Sequence, residues 1–280
     1  MKIIHSPQIL QQELKAQHKT GAIIGFVPTM GALHEGHLSL IRRARRDCSL
    51  VVVSIFVNPT QFGPNEDYNA YPRTLEKDSL SSQQAGADII FAPASAAMYP
   101  EGYQTYIEIR ELTKGLCGAT RPGHFTGVAT VVCKLFNIVC PDFAYFGQKD
   151  YQQCQVIKRM AADLNFDLQI IVMPTVREAD GLAMSSRNAY LSPEERKAAT
   201  ILYCALQKGQ KMIQDGVQET ALIRETLQNF TQLEKLAQID YLEILHTETL
   251  APISRIQLGH TLIVLAVKIG RTRLIDNCVV

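Results

Sequence analysis

The sequence predicts an α/β fold: a parallel sheet with helices on both faces, joined to a smaller α+β domain at the C-terminal end. Three observations predict it. Short apolar runs rich in Val and Ile recur at 22–27, 50–57, 88–92, 142–146 and 168–172. Amphipathic stretches with helical spacing separate them, at 37–48, 73–85, 125–139 and 150–164. Strands buried on both faces read as such runs, and their alternation with helices marks βαβ units and a Rossmann-like sheet. The pattern then changes near Pro174-Thr175, which sets the expected domains at 1–174 and 175–280.

Each element has a local reason. Ala22-Ile23-Ile24-Gly25-Phe26-Val27 is apolar throughout, as a central strand must be. In the helix that follows, Leu38, Ile41, Ala44 and Cys48 share one face. Arg42, Arg43, Arg45 and Arg46 alternate around that stripe and read as its solvated side. Past the boundary, a long helix is expected at 193–213. Ser192 is its cap, Pro193 its first residue, and Glu194 and Glu195 lie in its first turn. A second helix at 218–229 and strands at 239–245, 261–268 and 272–276 complete the smaller domain.

Ligands on open parallel sheets bind outside the carboxyl ends of the strands. Three polar segments follow strand candidates and are expected on one rim: Pro28 to His37, Asn58 to Gln61, and Phe146 to Asp150. In the first, Met30-Gly31-Ala32-Leu33-His34-Glu35-Gly36-His37 joins a strand to a helix N-terminus, where free N–H groups and the helix dipole attract anions. His34 and His37 are one helical turn apart and can face the same ligand. Three familiar motifs do not fit. Gly31-x4-Gly36 lacks the Lys-Ser/Thr of a P-loop, the spacing is wrong for G-x-G-x-x-G, and His34-Glu35-Gly36-His37 is one residue short of H-E-x-x-H.

Composition narrows the classes. The 280 residues carry a net charge of +1, with basic and acidic side chains balanced on both sides of residue 174. No basic footprint for nucleic acid exists, and no apolar stretch is long enough to span a membrane. Met1 to Pro7 lacks the apolar core of a signal peptide. The seven cysteines show no C-x-x-C pair or zinc spacing, so reduced, packed thiols of a cytoplasmic protein are expected.

The turn resembles the H-x-G-H signature of the adenylyl-transferring α/β superfamily, which includes class I aminoacyl-tRNA synthetases and small nucleotidylyltransferases. Its full form, VPTMGALHEGH, resembles the pantothenate synthetase (pantoate–β-alanine ligase) family. Five further blocks carry the same resemblance in order along most of the chain: Ser54 to Phe62, Tyr71-Pro72-Arg73-Thr74, Arg121-Pro122-Gly123-His124-Phe125, Phe146 to Gln153, and Met184-Ser185-Ser186-Arg187-Asn188. Gln148 stands where some members carry Glu, and Thr60 where some carry Met.

The resemblance implies an ATP-dependent ligase. Pantoate would be activated as pantoyl adenylate with release of pyrophosphate, and β-alanine would then displace AMP. Charge grows on phosphoryl oxygens in the first step, so donors must already be aimed at them. The family places ATP against residues 30–37, against Gly147, Gln148, Lys149 and Asp150, and against Val176, Met184, Ser185, Ser186 and Arg187. Within these, His34 and His37 would serve the α-phosphate and departing pyrophosphate, with His37 as proton donor. Lys149 would meet the β- and γ-phosphates, and Arg187 would offer a planar fork. Asp150 would orient Lys149 or hold the ribose.

Gln61 and Gln153 match the pantoate-binding glutamines, suited to hydroxyls because an amide both donates and accepts. Val131, Leu135 and Phe62 would wall the gem-dimethyl group. Mg²⁺ would accompany ATP, with Asp78 as an outer ligand. The second domain would act as a lid over ATP, and the protein would be a homodimer. A nucleotidylyltransferase would share the H-x-G-H turn but leave the paired glutamines unexplained. A nucleotide sensor without catalysis would have lost phosphate donors, yet His34, His37, Lys149 and Arg187 are all present.

Overall fold

The computed structural model describes residues 1–64 and 66–280 and divides into two compact units. The first comprises Met1–Gly147 and Gln152–Met173; the second comprises Gln148–Tyr151 and Pro174–Val280. Against the expectation of a single crossing after residue 174, the chain therefore also visits the second unit over four residues in its middle. The hydrogen bonds responsible are described with the site.

In chain order the first unit contains β1 (Lys2–Ile4), α1 (Pro7–Lys19), β2 (Ile24–Thr29), α2 (Glu35–Asp47), β3 (Leu50–Ile55), α3 (Leu75–Ala85), β4 (Ile89–Phe91), α4 (Ser95–Met98), α5 (Leu116–Thr120), α6 (His124–Val139), β5 (Phe143–Gly147), α7 (Tyr151–Asp163, all but its first residue) and β6 (Gln169–Met173). The six strands form one sheet in the order β1-β4-β3-β2-β5-β6, and every pairing is parallel. The expected parallel sheet is thus present.

Alternating side chains show why both faces are covered. Val27, Val51, Val53 and Tyr145 pack with Leu40, Ile41 and Ala44 of α2. Their neighbours point the other way, where Phe26 and Phe146 each make an edge contact with Phe136 of α6 at 6.4 Å. Three of the four arginines of α2 are paired, Arg42 with Glu35, Arg43 with Asp47 and Arg45 with Asp88.

Two elements, β1 and α1, carry no clear signal in the sequence. Only Leu10 and Leu14 of α1 are buried, so its apolar stripe is thin. Ser6 accepts from the Ile9 N–H at its start. Polar bonds then fasten it to α6, from Gln11 to the Asn137 carbonyl and from His18 to the Cys140 carbonyl.

The second unit holds α8 (Pro193–Ala198), α9 (Ile201–Gln214), α10 (Thr220–Gln232) and an antiparallel sheet β7 (Ala237–His246), β8 (Thr261–Ile269), β9 (Thr272–Val279) in that order. Leu202, Ala205, Leu206, Ile223 and Leu227 pack on Leu242, Ile244, Ile263, Leu265 and Val267 to form its core. The single helix expected at 193–213 is two. Ser192 and Glu195 form the capping box of α8, but the Thr200 hydroxyl bonds back to the Lys197 carbonyl at 2.8 Å, competing with the helical ladder where the break falls. Among the described residues, no helix is long and apolar enough to cross a membrane.

Candidate active site

The strand order reverses between β2 and β5, so the crevice at the switch point lies beyond the end of β2. The loop leaving β2 is the histidine-bearing turn. His34 is the N-cap of α2. Its Nδ1 accepts from the Gly36 N–H at 3.1 Å, and His37 Nδ1 accepts from the His34 N–H at 3.3 Å. The rings lie 4.1 Å apart between centroids. A ring nitrogen that accepts carries no proton, so this cap assigns the hydrogen of each neutral imidazole to Nε2. Both histidines thus present the same donor nitrogen at a helix N-terminus. Gly36 permits this, because a Cβ there would lie 2.8 Å from His34 Cε1.

Asp78 holds the turn from below. It is 1% exposed. Its oxygens accept from the Ala32 and Leu33 N–H groups at 2.9 and 2.8 Å and from the Thr74 hydroxyl at 3.1 Å. Expected as an outer magnesium ligand, Asp78 instead has its carboxylate committed to the backbone of the turn. Among the described residues, no group of three or more His, Cys, Asp or Glu side chains gathers as a metal cage. Beside the turn lies a cavity of about 290 Å³, lined among others by Met30, Gly31, Phe56, Tyr68, Arg73 and Asp78.

Gln61 comes from the loop after β3 and reaches the same rim. Its Nε2 lies 3.1 Å from Met30 Sδ, and its Oε1 accepts from Asn58 Nδ2 at 3.0 Å. Asn58, 1% exposed, also donates to the Gly127 carbonyl and accepts from the Tyr99 hydroxyl at 2.8 Å. Burial pushes the Tyr99 phenol up to about 12, which keeps it protonated for that bond. Gly127 lets α6 approach this loop, since a Cβ there would stand 2.6 Å from the Gln61 nitrogen.

A second chain of groups holds the main chain of Gln61. His124 Nδ1 donates to the Gln61 carbonyl at 2.9 Å, and His124 Nε2 accepts from Arg121 at 3.0 Å. Arg121 makes a two-pronged ion pair with Glu66, both bonds 2.6 Å. Burial pushes Glu66 upward, but the bonds and charge of Arg121 outweigh it and hold the carboxyl below its ordinary value. Gln153 is half-buried on α7. Its neighbour Gln152 is the buried one, clamping Leu112, Gly115 and Cys117 by their backbones. Val131 and Leu135 are buried in α6, and Phe62 makes edge contacts with Tyr68 and Tyr71.

The second unit carries its own cluster. Lys149 Nζ donates to the Met184 carbonyl at 3.0 Å, and the Met184 N–H donates to the Val176 carbonyl. Burial pushes the Lys149 ammonium below its usual value, with Asp150 pulling it back up. Ser185 accepts from the Arg187 N–H and opens the short turn Ser186–Tyr190, so Ser186 and Arg187 stand on one tight bend. Asn277 donates to the Gln148 and Lys149 carbonyls at 3.0 and 2.9 Å, which is why Gln148–Tyr151 groups with this unit. Asp276 pairs with Arg177 through two bonds of 2.6 and 3.0 Å.

The structure brings His34 to His37, Gln61 to Met30, and Lys149 to Met184. Glu35 pairs with Arg42, and Asp150 is exposed. Sequence reasoning placed Asn58, Arg121 and His124 in its motif blocks without a role, and passed over Glu66, Arg177, Asp276 and Asn277. A usable signal existed for some: the R-P-G-H-F block, and the polar Asp276-Asn277 pair between the apolar Leu274-Ile275 and Cys278-Val279 of the final strand.

Comparison with known proteins agrees along the whole chain. The family model described as pantoate-beta-alanine ligase matches residues 2–279. A pantothenate synthetase of Pelotomaculum thermopropionicum is 59% identical over 259 residues, covering 92% of each chain. The crystal structure of the Thermus thermophilus enzyme of that name superposes with a TM-score of 0.94 at 47% identity, covering 99% of both chains. A Francisella tularensis pantoate-beta-alanine ligase, complexed with beta-gamma ATP and beta-alanine, aligns with a TM-score of 0.81 at 36% identity, covering 100% of this chain and 97% of that one.

Proposed function

This chain belongs to the pantoate–β-alanine ligase family, and on that premise we propose how its residues divide the work. The reaction is an ATP-dependent condensation of pantoate with β-alanine through pantoyl adenylate. The pantoate carboxylate attacks the α-phosphate, forming a C–O–P bond and breaking the bond to pyrophosphate. The β-alanine amine then attacks the acyl carbon, loses a proton, and AMP leaves.

The observation that carries the assignment is the capped histidine pair. With Nδ1 of each ring tied to a backbone N–H, the ring hydrogen falls on Nε2 at a helix N-terminus, the kind of donor a phosphoryl group requires. Release of a proton from that nitrogen would leave an imidazolate. In this tautomer His37 acts as a hydrogen-bond donor to phosphate. Lys149 serves the β- and γ-phosphates as a point charge, and Ser185, Ser186 and Arg187 add donors. Met30, Gly31, Ala32, Leu33, Glu35 and Gly36 shape the nucleotide contact as backbone, with Gly147, Gln148, Asp150, Val176 and Met184.

Gln61 has its Oε1 bonded by Asn58 and one amide N–H against Met30 Sδ, which leaves its second N–H to meet an oxygen of pantoate. Gln153 is the second pantoate contact. Magnesium enters with ATP as part of the substrate, bound chiefly by phosphates and water. We further assign the protein to the cytoplasm as a homodimer. Seven cysteines without a disulfide suit a reducing compartment, and sedimentation would read the assembly directly.

The test is isotope exchange between pyrophosphate and ATP with pantoate present and β-alanine absent. Exchange that depends on pantoate is expected. Folded protein that binds ATP but shows no such exchange would overturn the reading.

A further inference from the structure

We propose that Asp276 and Asn277, adjacent on β9, are positioning residues for the adenylation step: Asn277 fixes the main chain that carries Lys149, and Asp276 fixes the stem of the loop that carries Ser185, Ser186 and Arg187.

The two side chains sit on successive positions of a strand and so leave it in opposite directions. Asn277 is 2% exposed. Its Nδ2 donates to two consecutive carbonyls, of Gln148 and Lys149, and its Oδ1 lies 3.4 Å from Gln148 Nε2. A primary amide has two N–H donors, and both are spent on the backbone that bears the lysine. Asp276 is 1% exposed. It takes both prongs of Arg177 and also accepts from the Asn277 N–H at 2.8 Å. Arg177 in turn donates to the Gly181 carbonyl at 3.0 Å and lies 4.5 Å over the Tyr203 ring. It opens the bridge Arg177–Ala183, whose far side runs into Met184.

The loop closes where Lys149 Nζ meets the Met184 carbonyl at 3.0 Å. Two neighbouring strand residues thus hold both ends of one set of phosphate donors. Burial of an amide and a carboxylate is unfavourable unless each is bonded, and here each is.

The inference rests on the reading of Lys149 as a donor to the β- and γ-phosphates. Pyrophosphate is present only in the first half-reaction, so a group that acts through Lys149 should matter there alone. A residue that merely supports the fold would affect both half-reactions and would act whether or not Lys149 is present.

The test uses the full-length enzyme and Asn277→Ala. Pantoate-dependent pyrophosphate exchange should fall at least tenfold at saturating substrates, with KM for pantoate within twofold of the parent. Conversion of supplied pantoyl adenylate by β-alanine should stay within twofold. In a Lys149→Ala background, the same substitution should add less than twofold, because residues that act as a unit are non-additive. If Asn277→Ala does not fold, Asn277→Ser keeps one short donor and should lose exchange in the same selective way. Equal losses in both half-reactions, an undiminished loss in the Lys149→Ala background, or parent-like exchange would each overturn the proposal. Failure of the parent enzyme to exchange would instead refute the reading of Lys149 beneath it.

Discussion

Replacing Gly36 by Ala should separate catalysis from stability. A Cβ at residue 36 would sit 2.8 Å from His34 Cε1 and 2.9 Å from Nδ1, well inside the ~3.5 Å of ordinary contact. The obstructing atoms belong to a side chain, so the imidazole yields and the backbone stays. His34 then loses its bond to the residue 36 N–H, a loss of about 1 kcal/mol for an N-cap. Alanine is favoured over glycine within a helix by up to about 1 kcal/mol, which offsets it. The balance lies near zero, and Tm should move by no more than about 3 °C. Catalysis has no such offset. One misplaced donor to a developing oxyanion lowers turnover by about 10²–10³-fold. Pyrophosphate exchange and a melting curve on the same sample read both quantities. Parent-like exchange with an unchanged Tm would show that the His34 position is immaterial to the chemistry. Equal collapse of both would show that the cap is structural only.

Three other outcomes follow from the same geometry. Asp78→Asn keeps the shape but replaces an acceptor with a donor facing backbone N–H groups, so it should lower stability by about 1–3 kcal/mol together with activity. Added magnesium should restore neither, and rescue by the metal would return Asp78 to a ligand role. His124→Ala removes the 2.9 Å bond to the Gln61 carbonyl and should raise KM for pantoate about tenfold with KM for ATP unchanged; steady-state titration of each substrate decides it. Burial lowers the Lys149 pKa, so its ammonium is lost at lower pH than an ordinary lysine's, and exchange should fall as pH rises through that lowered value. Lys149→Arg stays charged and should push the alkaline limb upward; a pH–rate profile with an unmoved limb would assign the titration to another group.

Much of this molecule is written in local pattern. Most residues of the runs at 22–27 and 50–57 fall in the strands Ile24–Thr29 and Leu50–Ile55, whose largely buried residues leave a plain apolar trace. The helix after His37 is legible through its stripe of Leu38, Ile41 and Ala44. The histidine turn is legible because its residue types and spacing lie within twelve consecutive positions. Pairings over long separation are not. Nothing near Glu66 announces Arg121, 55 residues on, and nothing near Lys149 announces Asn277. Asp78 shows the same limit in another way: a carboxylate near a phosphate site reads as a metal ligand until the amides that occupy it are seen. The thin stripe of α1 hides a helix that is held as much by Gln11 and His18 as by its two buried leucines.

The chain's brief excursion at Gln148–Tyr151 bears on any attempt to dissect the gene. A fragment ending at Met173 would keep Lys149 and discard Asn277; the complementary fragment would keep Asn277 with no main chain to grip. Neither half is a self-sufficient cassette, although each encloses a core of its own. Cut at that point, the two pieces would have to reassociate with the lysine segment threaded back into its partner. A permuted gene reading Pro174–Val280 before Met1–Met173 would preserve the pairing by keeping both segments on one polypeptide.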